Sequence, residues 1–192
     1  MSKLMGRFFV LTMGLALMGS ALEAQGFKLG VKAGGARSDL AKVDSSEAGW
    51  GFVGGAYAGI GLGSIVIQPE VLYVQRKASQ QAGSATLNQN YIDVPVLVGF
   101  SLGVVVKPFL YVAPVVSFET SCGLSLNSLT EDCTDFDTKS ALFSGAIGAA
   151  LDFGMFNIDV RYNFGFSDIV EGEDGRWNTL MIMGGVGLSL GL

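Results

Sequence analysis

The sequence contains no histidine. Histidine serves as the general base in Ser-His-Asp and Cys-His catalysis and is a frequent metal ligand, so its absence excludes those catalytic sets and any histidine metal site. Chemistry by paired carboxylates or by Ser-Lys stays open. We expect a non-enzymatic protein with no catalytic residues, no cofactor and no metal site.

Charged residues and prolines are also scarce. Charged residues make up 15% of the chain, against about 25% in ordinary soluble domains. The chain has 4 prolines but 28 glycines, which favours tight turns and close strand contacts over long helices. The net charge of −5 argues against binding to nucleic acid.

A long apolar run is missing beyond the N-terminal segment, so no helical membrane span is predicted. The N-terminal segment itself is typical of a secretory signal peptide. Lys3 and Arg7 precede a short apolar stretch, residues 8–18, and small residues follow it. Cleavage after Ala24 or Ala21 fits these small residues, and an uncleaved anchor is the alternative. We predict a signal peptide at residues 1–24 and a mature domain at residues 25–192.

The chain has only two cysteines, Cys122 and Cys133, which lie close together in a polar stretch. An exported protein reaches an oxidising compartment, so we predict a disulfide between them. Free thiols or a two-thiolate metal site are the alternatives, and no histidine or further cysteine is available to complete such a site.

Alternation of apolar and other residues with a period of two runs through the mature sequence. It is clearest over residues 156–167, where every even-numbered residue is apolar and every odd-numbered one is polar or glycine. The same pattern predicts eight strands, at residues 27–37, 50–61, 65–76, 89–102, 106–118, 139–152, 156–167 and 177–192. Each is long enough to cross a membrane, since a membrane strand needs about 9–11 residues.

Short and long connections alternate strictly between these strands. The short turns are residues 62–64, 103–105 and 153–155, and the longer polar loops are residues 38–49, 77–88, 119–138 and 168–176. This order is typical of an all-β, eight-stranded antiparallel up-and-down transmembrane β-barrel with short periplasmic turns and long outer loops. It predicts an outer-membrane β-barrel domain at residues 25–192 and places both termini in the periplasm.

The two faces of the predicted strands differ in chemistry. One face is nearly all Val, Ile, Leu, Phe and Tyr. In water this face would be a very large exposed apolar patch, whereas in a membrane it would contact lipid. The other mixes small residues with opposite charges, which suits the narrow lumen of an eight-stranded barrel. Aromatic residues near strand ends are predicted to form interfacial girdles, namely Phe27, Trp50, Tyr73, Phe118, Phe156 and Trp177. The alternative is a lipocalin-like soluble barrel with its apolar face inward.

The inward charges are the main candidate functional feature. The predicted lumen charge network comprises Lys28, Lys32, Glu70, Asp93, Lys107, Asp159 and Arg161. We interpret it as a paired polar plug, because an isolated charge in so narrow a space is costly. An ion path or a catalytic carboxylate pair is the alternative. Pro95 lies inside a predicted strand and removes a ladder hydrogen bond, which predicts a bulge or local irregularity there.

Four segments resemble, in order, the PorT-type outer-membrane β-barrel family. They are IQPEVLYVQRKAS (67–79), NYIDVPVLVGF (90–100), VKPFLYVAPVVSF (106–118) and IDVRYNFGFSDI (158–169). The second segment is similar to a tyrosine–isoleucine–acid–x–proline strand of that family. The resemblance covers nearly all of the mature chain and implies an eight-stranded outer-membrane barrel, without fixing a particular task.

The outer loops are acidic, with carboxylates concentrated in residues 119–138 and 168–176. Acidic loops are suited to basic partners or to calcium, although the spacing of a calcium hand is missing. We predict an outer-membrane protein whose loops serve envelope integrity, adhesion or the binding of a protein partner, with membrane lipid around the barrel. The alternative is a narrow pore or an accessory component of transport or protein secretion across the outer membrane.

Overall fold

The computed structural model describes residues 26–41, 46–80, 85–103, 105–126, 129–132, 141–167 and 175–190. These residues form nine strands: β1 Phe27–Ala41, β2 Ser46–Leu62, β3 Ile65–Gln80, β4 Ala85–Ser101, β5 Val106–Leu126, β6 Leu129–Asp132, β7 Ala141–Phe153, β8 Phe156–Gly165 and β9 Arg176–Leu190. Within the described residues, no helix is long and apolar enough to cross a bilayer. The predicted signal peptide lies outside them.

Eight of the strands close into a barrel. The ring runs in the order β1, β2, β3, β4, β5, β7, β8, β9, with antiparallel pairing between successive strands, and β9 pairs with β1 to close it. The short β6 is outside this ring and forms a hairpin with the last residues of β5, Gly123 to Leu126. The predicted eight-stranded antiparallel up-and-down barrel is therefore confirmed.

The two ends of the barrel differ in their connections. Gly63, Gly103 and Gly154 lie in the three short turns with φ of 67°, 93° and 61°, a left-handed conformation that favours glycine. We call this end the turn side and the opposite end the loop side. On the loop side the strands continue beyond their predicted ends, as in the pairing of Ala78 with Leu87 and Ser79 with Thr86. The alternation fades there because both faces of the strands are largely polar, although the backbone pairing continues.

The apolar face of the strands points outward. In β8 exposure alternates strictly from Phe156 to Phe164, so that Val160 is 42% exposed whereas Asp159 is 0% exposed. This orientation excludes the alternative of a soluble barrel with its apolar face inward.

Of the predicted girdle residues, Trp50 and Phe156 are exposed on the outer wall near strand ends, and Phe27 is half-buried at the start of β1. Tyr73 and Phe118 are also exposed on the outer wall, but they lie well inside β3 and β5, because these strands extend beyond their predicted ends.

Trp177 does not belong to the girdle, and that prediction is wrong. Its side chain is 4% exposed and lies inside the barrel, in phase with Thr179 and Met181 of β9. Its position near a strand end was not sufficient, because the phase of the strand decides which wall a side chain occupies.

At Pro95 there is no bulge, but the pairing of residues 96 and 97 with β5 is interrupted next to it, so of the predicted bulge or local irregularity only the second is present. Pro95 lies opposite Val115, and the register between β4 and β5 is unchanged on both sides of it. The register shifts instead between Asn90 and Tyr91, and β2 has a second shift between Ala48 and Val53. A strand proline removes a bond to only one neighbour, which does not require an extra residue in the ladder.

The lumen is more apolar than the sequence indicated. Besides charges and small residues, it contains three clusters of buried hydrophobic side chains. Their largest members are Leu72, Leu97, Leu142, Phe109, Tyr91, Tyr111, Trp177, Met181 and Met183. The barrel therefore has a packed core of the kind found in small closed barrels, with the polar groups set among these clusters.

Candidate functional site: the charged plug of the lumen

Four charged side chains meet in the middle of the lumen, and we call them the central charge cluster. Lys32 projects from β1, Glu70 from β3, and Asp159 and Arg161 from β8. All four lie on the inward phase of their strands. Between β1 and β8, the inner wall of β9 presents Gly185, which is paired with Lys32, so the two sides of the cluster approach each other without an intervening side chain.

Each acid of the cluster contacts both bases. Lys32 Nζ donates to Glu70 Oε1 and to Asp159 Oδ2, both at 2.7 Å. Arg161 Nη1 lies 2.8 Å from Glu70 Oε2, and Nη2 donates to Asp159 Oδ2 at 2.5 Å. The four side chains are at most 1% exposed. Two cations and two anions therefore balance in a space that water does not reach, which is the condition for a buried ion pair to be tolerated.

Neutral groups complete the cluster. Tyr111 Oη donates to Asp159 Oδ1 at 2.5 Å, and Gln68 Nε2 donates to Glu70 Oε1 at 2.8 Å. The ring of Tyr57 lies 4.9 Å from Lys32 Nζ, and the ring of Tyr111 lies 5.4 Å from the Arg161 guanidinium carbon. These contacts fix the orientation of both acids and place a π face beside each base.

The two tyrosines need glycine on the facing strand. Gly30 is the cross-strand partner of Tyr57, and Gly148 is the partner of Tyr111. A Cβ at either glycine would overlap the tyrosine ring. The glycines therefore let the tyrosines lie across the lumen wall and reach the central charge cluster.

A second polar layer lies on the loop side of the cluster. Arg76 donates to Asp93 at 2.6 Å, with the ring of Tyr91 4.6 Å from its guanidinium carbon. Gln89 Oε1 accepts hydrogen bonds from Tyr91 Oη at 3.0 Å and from Trp177 Nε1 at 2.8 Å. All five side chains are at most 4% exposed, so this layer fills the loop-side part of the lumen.

The turn-side mouth is open by comparison. A cavity of about 580 Å³ lies there, with Lys28, Gln68, Lys107 and Asp152 among the residues around it. Lys28 donates to Asp152 at 2.7 Å, and Asn157 donates to the same oxygen at 2.6 Å. The Lys28 and Asp152 side chains are 15% and 25% exposed, so water reaches this pair.

The structure brings four of the seven predicted network residues into direct contact, as the central charge cluster. Of the other three, Lys28 pairs with Asp152 and Asp93 pairs with Arg76. Lys107 is exposed at the turn-side mouth.

The sequence interpretation missed Arg76, Asp152 and Tyr111. Arg76 has the same phase as Glu70 in β3, and Asp152 has the same phase as Gly148 in β7, so the alternation contained the signal for both.

Cys122 lies on β5 with its backbone opposite Gln89. Its side chain and the whole of Cys133 lie outside the described residues, so the disulfide stays a prediction. Among the described residues, no group of three or more acids and cysteines is placed to hold a metal ion.

Residues 23–171 match the family described as the outer membrane protein beta-barrel domain. Among solved structures, Ail, the attachment invasion locus protein of Yersinia pestis, is similar with 17% identity and a TM-score of 0.51, over 86% of this chain and 100% of Ail. Neisserial surface protein A is similar with 14% identity and a TM-score of 0.53, over 83% of this chain and 96% of that protein. At these identities the likeness concerns the fold. No curated protein matches the chain.

Proposed function

The chain belongs to the outer membrane protein β-barrel domain family, and we propose that it is a non-enzymatic barrel whose lumen is closed and whose outer loops carry its activity. In this proposal residues 1–24 direct export, residues 25–192 form the mature domain, and both termini lie in the periplasm with the turn side. The loop side then faces outward, where the loops serve envelope integrity, adhesion or the binding of a protein partner.

The filled lumen is the observation that carries this proposal. The central charge cluster joins β1, β3 and β8 across the barrel, and its side chains are at most 1% exposed. A permeating ion would have to separate these pairs and replace contacts of 2.5–2.8 Å, at a cost of several kcal/mol for each charge left unpaired. Apolar clusters fill much of the remaining cross-section.

The same geometry disfavours catalysis by the buried carboxylates. Glu70 and Asp159 are each held by two cations and are 2% and 0% exposed. A general acid or base must reach the proton that it transfers within hydrogen-bonding distance. A substrate has no route to these oxygens, so we interpret them as structural.

Ion conductance tests the closed lumen. The mature chain, refolded and inserted into a planar bilayer, should give no discrete openings, while a wide porin in the same bilayer serves as the positive control. Steady single-channel currents from the wild-type chain would overturn the proposal.

The predicted disulfide belongs to this proposal, because it would order the loop that β5 and β6 support. We expect the bond between Cys122 and Cys133 to contribute roughly 2–4 kcal/mol to the order of that loop and little to the barrel. Mass spectrometry of folded protein without reductant should show no alkylatable thiol. Two alkylated thiols in protein taken from the cell envelope would exclude the bond.

A narrow pore or an accessory role in transport or secretion is the second candidate. The turn-side cavity of about 580 Å³ favours it, because it provides a wet vestibule on one side of the plug. The resemblance to the PorT-type family, carried by residues 67–79, 90–100, 106–118 and 158–169, stays a proposal within the broader family. Solute uptake that depends on the protein, with no conductance at rest, would favour the accessory role.

A further inference from the structure

A groove crosses the outer wall of the barrel over β8, β9, β1 and β2. Its volume is about 710 Å³. Ala33 forms the floor together with its two cross-strand partners, Gly54 and Gly184. Phe52, Phe156, Ile158 and Val186 are among the residues that form its walls. A Cβ placed on Gly184 would meet no atom within 4 Å, so there is open space above this part of the floor.

The groove lies on the part of the wall that lipid covers. An empty depression there would forfeit dispersion contacts along its whole lining, and water in it would find few polar partners. A flexible string of methylene groups fits an apolar trough of this kind. The groove is therefore suited to an acyl chain.

Two basic residues lie beyond the loop-side end of the groove. On the outer face of β1, Ala33 is followed by Gly35 and Arg37. The ring of Trp50 lies over Gly35, 3.2 Å from the position of a Cβ there, and Arg37 is the cross-strand partner of Trp50. Lys77 of β3 lies against Gly49, the residue before Trp50. Arg37 and Lys77 therefore flank Trp50, which is 59% exposed.

The polar side chains near Lys77 indicate which lipid headgroup would fit beside the acyl chain. Gln75 and Asn88 are neighbours of Lys77, the first on the same face of β3 and the second directly across on β4. Their amides suit sugar hydroxyls, and the two cations suit a phosphate. Asp39, two residues beyond Arg37 on the same face, interacts electrostatically with Arg37. Asp39 and Glu47 of β2 both lie farther from the groove than the two bases.

We propose that this wall binds a phosphorylated glycolipid of the loop-side leaflet, with an acyl chain in the groove and a phosphate at Arg37 and Lys77. The inference rests on the outward orientation of the loop side in the proposed function. A second copy of the barrel fits less well, because its apolar wall would take Arg37 and Lys77, and Asp39 beside Arg37, out of water. A lipid phosphate can bind both bases at the membrane surface.

Lipid binding tests the headgroup contact. The mature chain in phosphatidylcholine nanodiscs is titrated with bisphosphorylated lipid A, and bound lipid is measured by native mass spectrometry. Removing both charges in the Arg37→Gln, Lys77→Gln variant should weaken binding about 30-fold, since each basic residue near an anionic surface is worth about a fivefold factor. Lys107→Gln, which removes a charge from the opposite mouth, should leave binding unchanged.

The acyl contact has its own variant. Gly184→Leu adds a side chain at a position where a Cβ meets no atom within 4 Å, and it should occupy the groove and reduce lipid retention. Ala149→Leu, on the exposed outer face of β7 and outside the groove, should leave lipid retention unchanged. The heat-modifiable mobility of the folded barrel shows that both variants have folded.

Three outcomes would overturn the proposal. They are equal binding of dephosphorylated lipid A, equal binding of phosphatidylglycerol, and a dimer cross-link that Gly184→Leu abolishes. All these readouts are independent of ion conductance, so the proposal can fail while the lumen is closed, and an open lumen does not by itself remove the lipid site.

Discussion

The inner and outer walls of the barrel are fixed by different physical requirements, and β8 shows both on one strand. Val160 on the outer wall is 42% exposed and needs only to be apolar, because lipid accepts any hydrocarbon surface. Asp159 and Arg161 on the inner wall are at most 1% exposed, and each contacts particular atoms of Lys32 or Glu70. The outer wall is thus specified by composition, and the inner wall is specified by pairing.

The largest expected effect comes from breaking the pairing. Arg161→Met leaves Lys32 as the only base facing Glu70 and Asp159, so one buried acid is uncompensated. We expect a loss of about 3–5 kcal/mol in the free energy of unfolding, measured by urea unfolding in lipid vesicles. A loss below about 1 kcal/mol would mean that the cluster is hydrated and that pairing does not specify the inner wall.

The outer wall should respond to polarity instead of to the identity of a partner. Val160→Arg places a charge in lipid and should cost about 2–4 kcal/mol near the middle of the membrane, whereas Val160→Leu should change stability little. At Asn163, on the inner wall of the same strand, a polar substitution such as Asn163→Ser should be tolerated. Unfolding in vesicles measures all three variants, and equal losses for Val160→Arg and Asn163→Ser would contradict the assignment of the faces.

The smallest effect is expected where water reaches the inner wall. The Lys28 and Asp152 side chains are 15% and 25% exposed, against 0% for Lys32 and Glu70. Exposure screens the charge that remains after one partner is removed, so Lys28→Met should cost about 0–1 kcal/mol. Salt titration of the unfolding free energy provides the check. A loss as large as that of Arg161→Met would show that solvent exposure does not determine how much stability is lost when one partner of an ion pair is removed.

The architecture could be predicted from the sequence because lipid-facing and lumen-facing residues alternate along a transmembrane strand. Residues 156–167 predicted β8 and its faces, and the alternation of short and long connections predicted the order of the strands. The strand ends on the loop side were predicted too short, because the pairing of Ser79 with Thr86 continues where both faces are polar and the alternation fades.

The site could be predicted only in part. Alternation reveals that Lys32, Glu70 and Asp159 point inward, yet their contacts join residues 38 and 127 positions apart in the chain. Which inward residues meet depends on the tilt and stagger of the strands, and the phase of one strand contains no information on these. The same limitation explains why Asp93 was assigned to the network without its partner Arg76, and why the apolar core around Leu72 and Met181 was not foreseen.

The central claim is that pairing among the buried charges specifies the inner wall, and a double-mutant cycle at Arg161 and Asp159 tests it most directly. Asp159→Asn alone and Arg161→Met alone each unbalance the cluster, whereas the double variant leaves Lys32 and Glu70 as a matched pair at 2.7 Å. Measured by unfolding in vesicles, the double variant should lose less than the sum of the single variants, with a coupling energy of about 0.5–3 kcal/mol. Strict additivity would contradict the claim, since it would mean that the two charges are independently solvated in an open lumen.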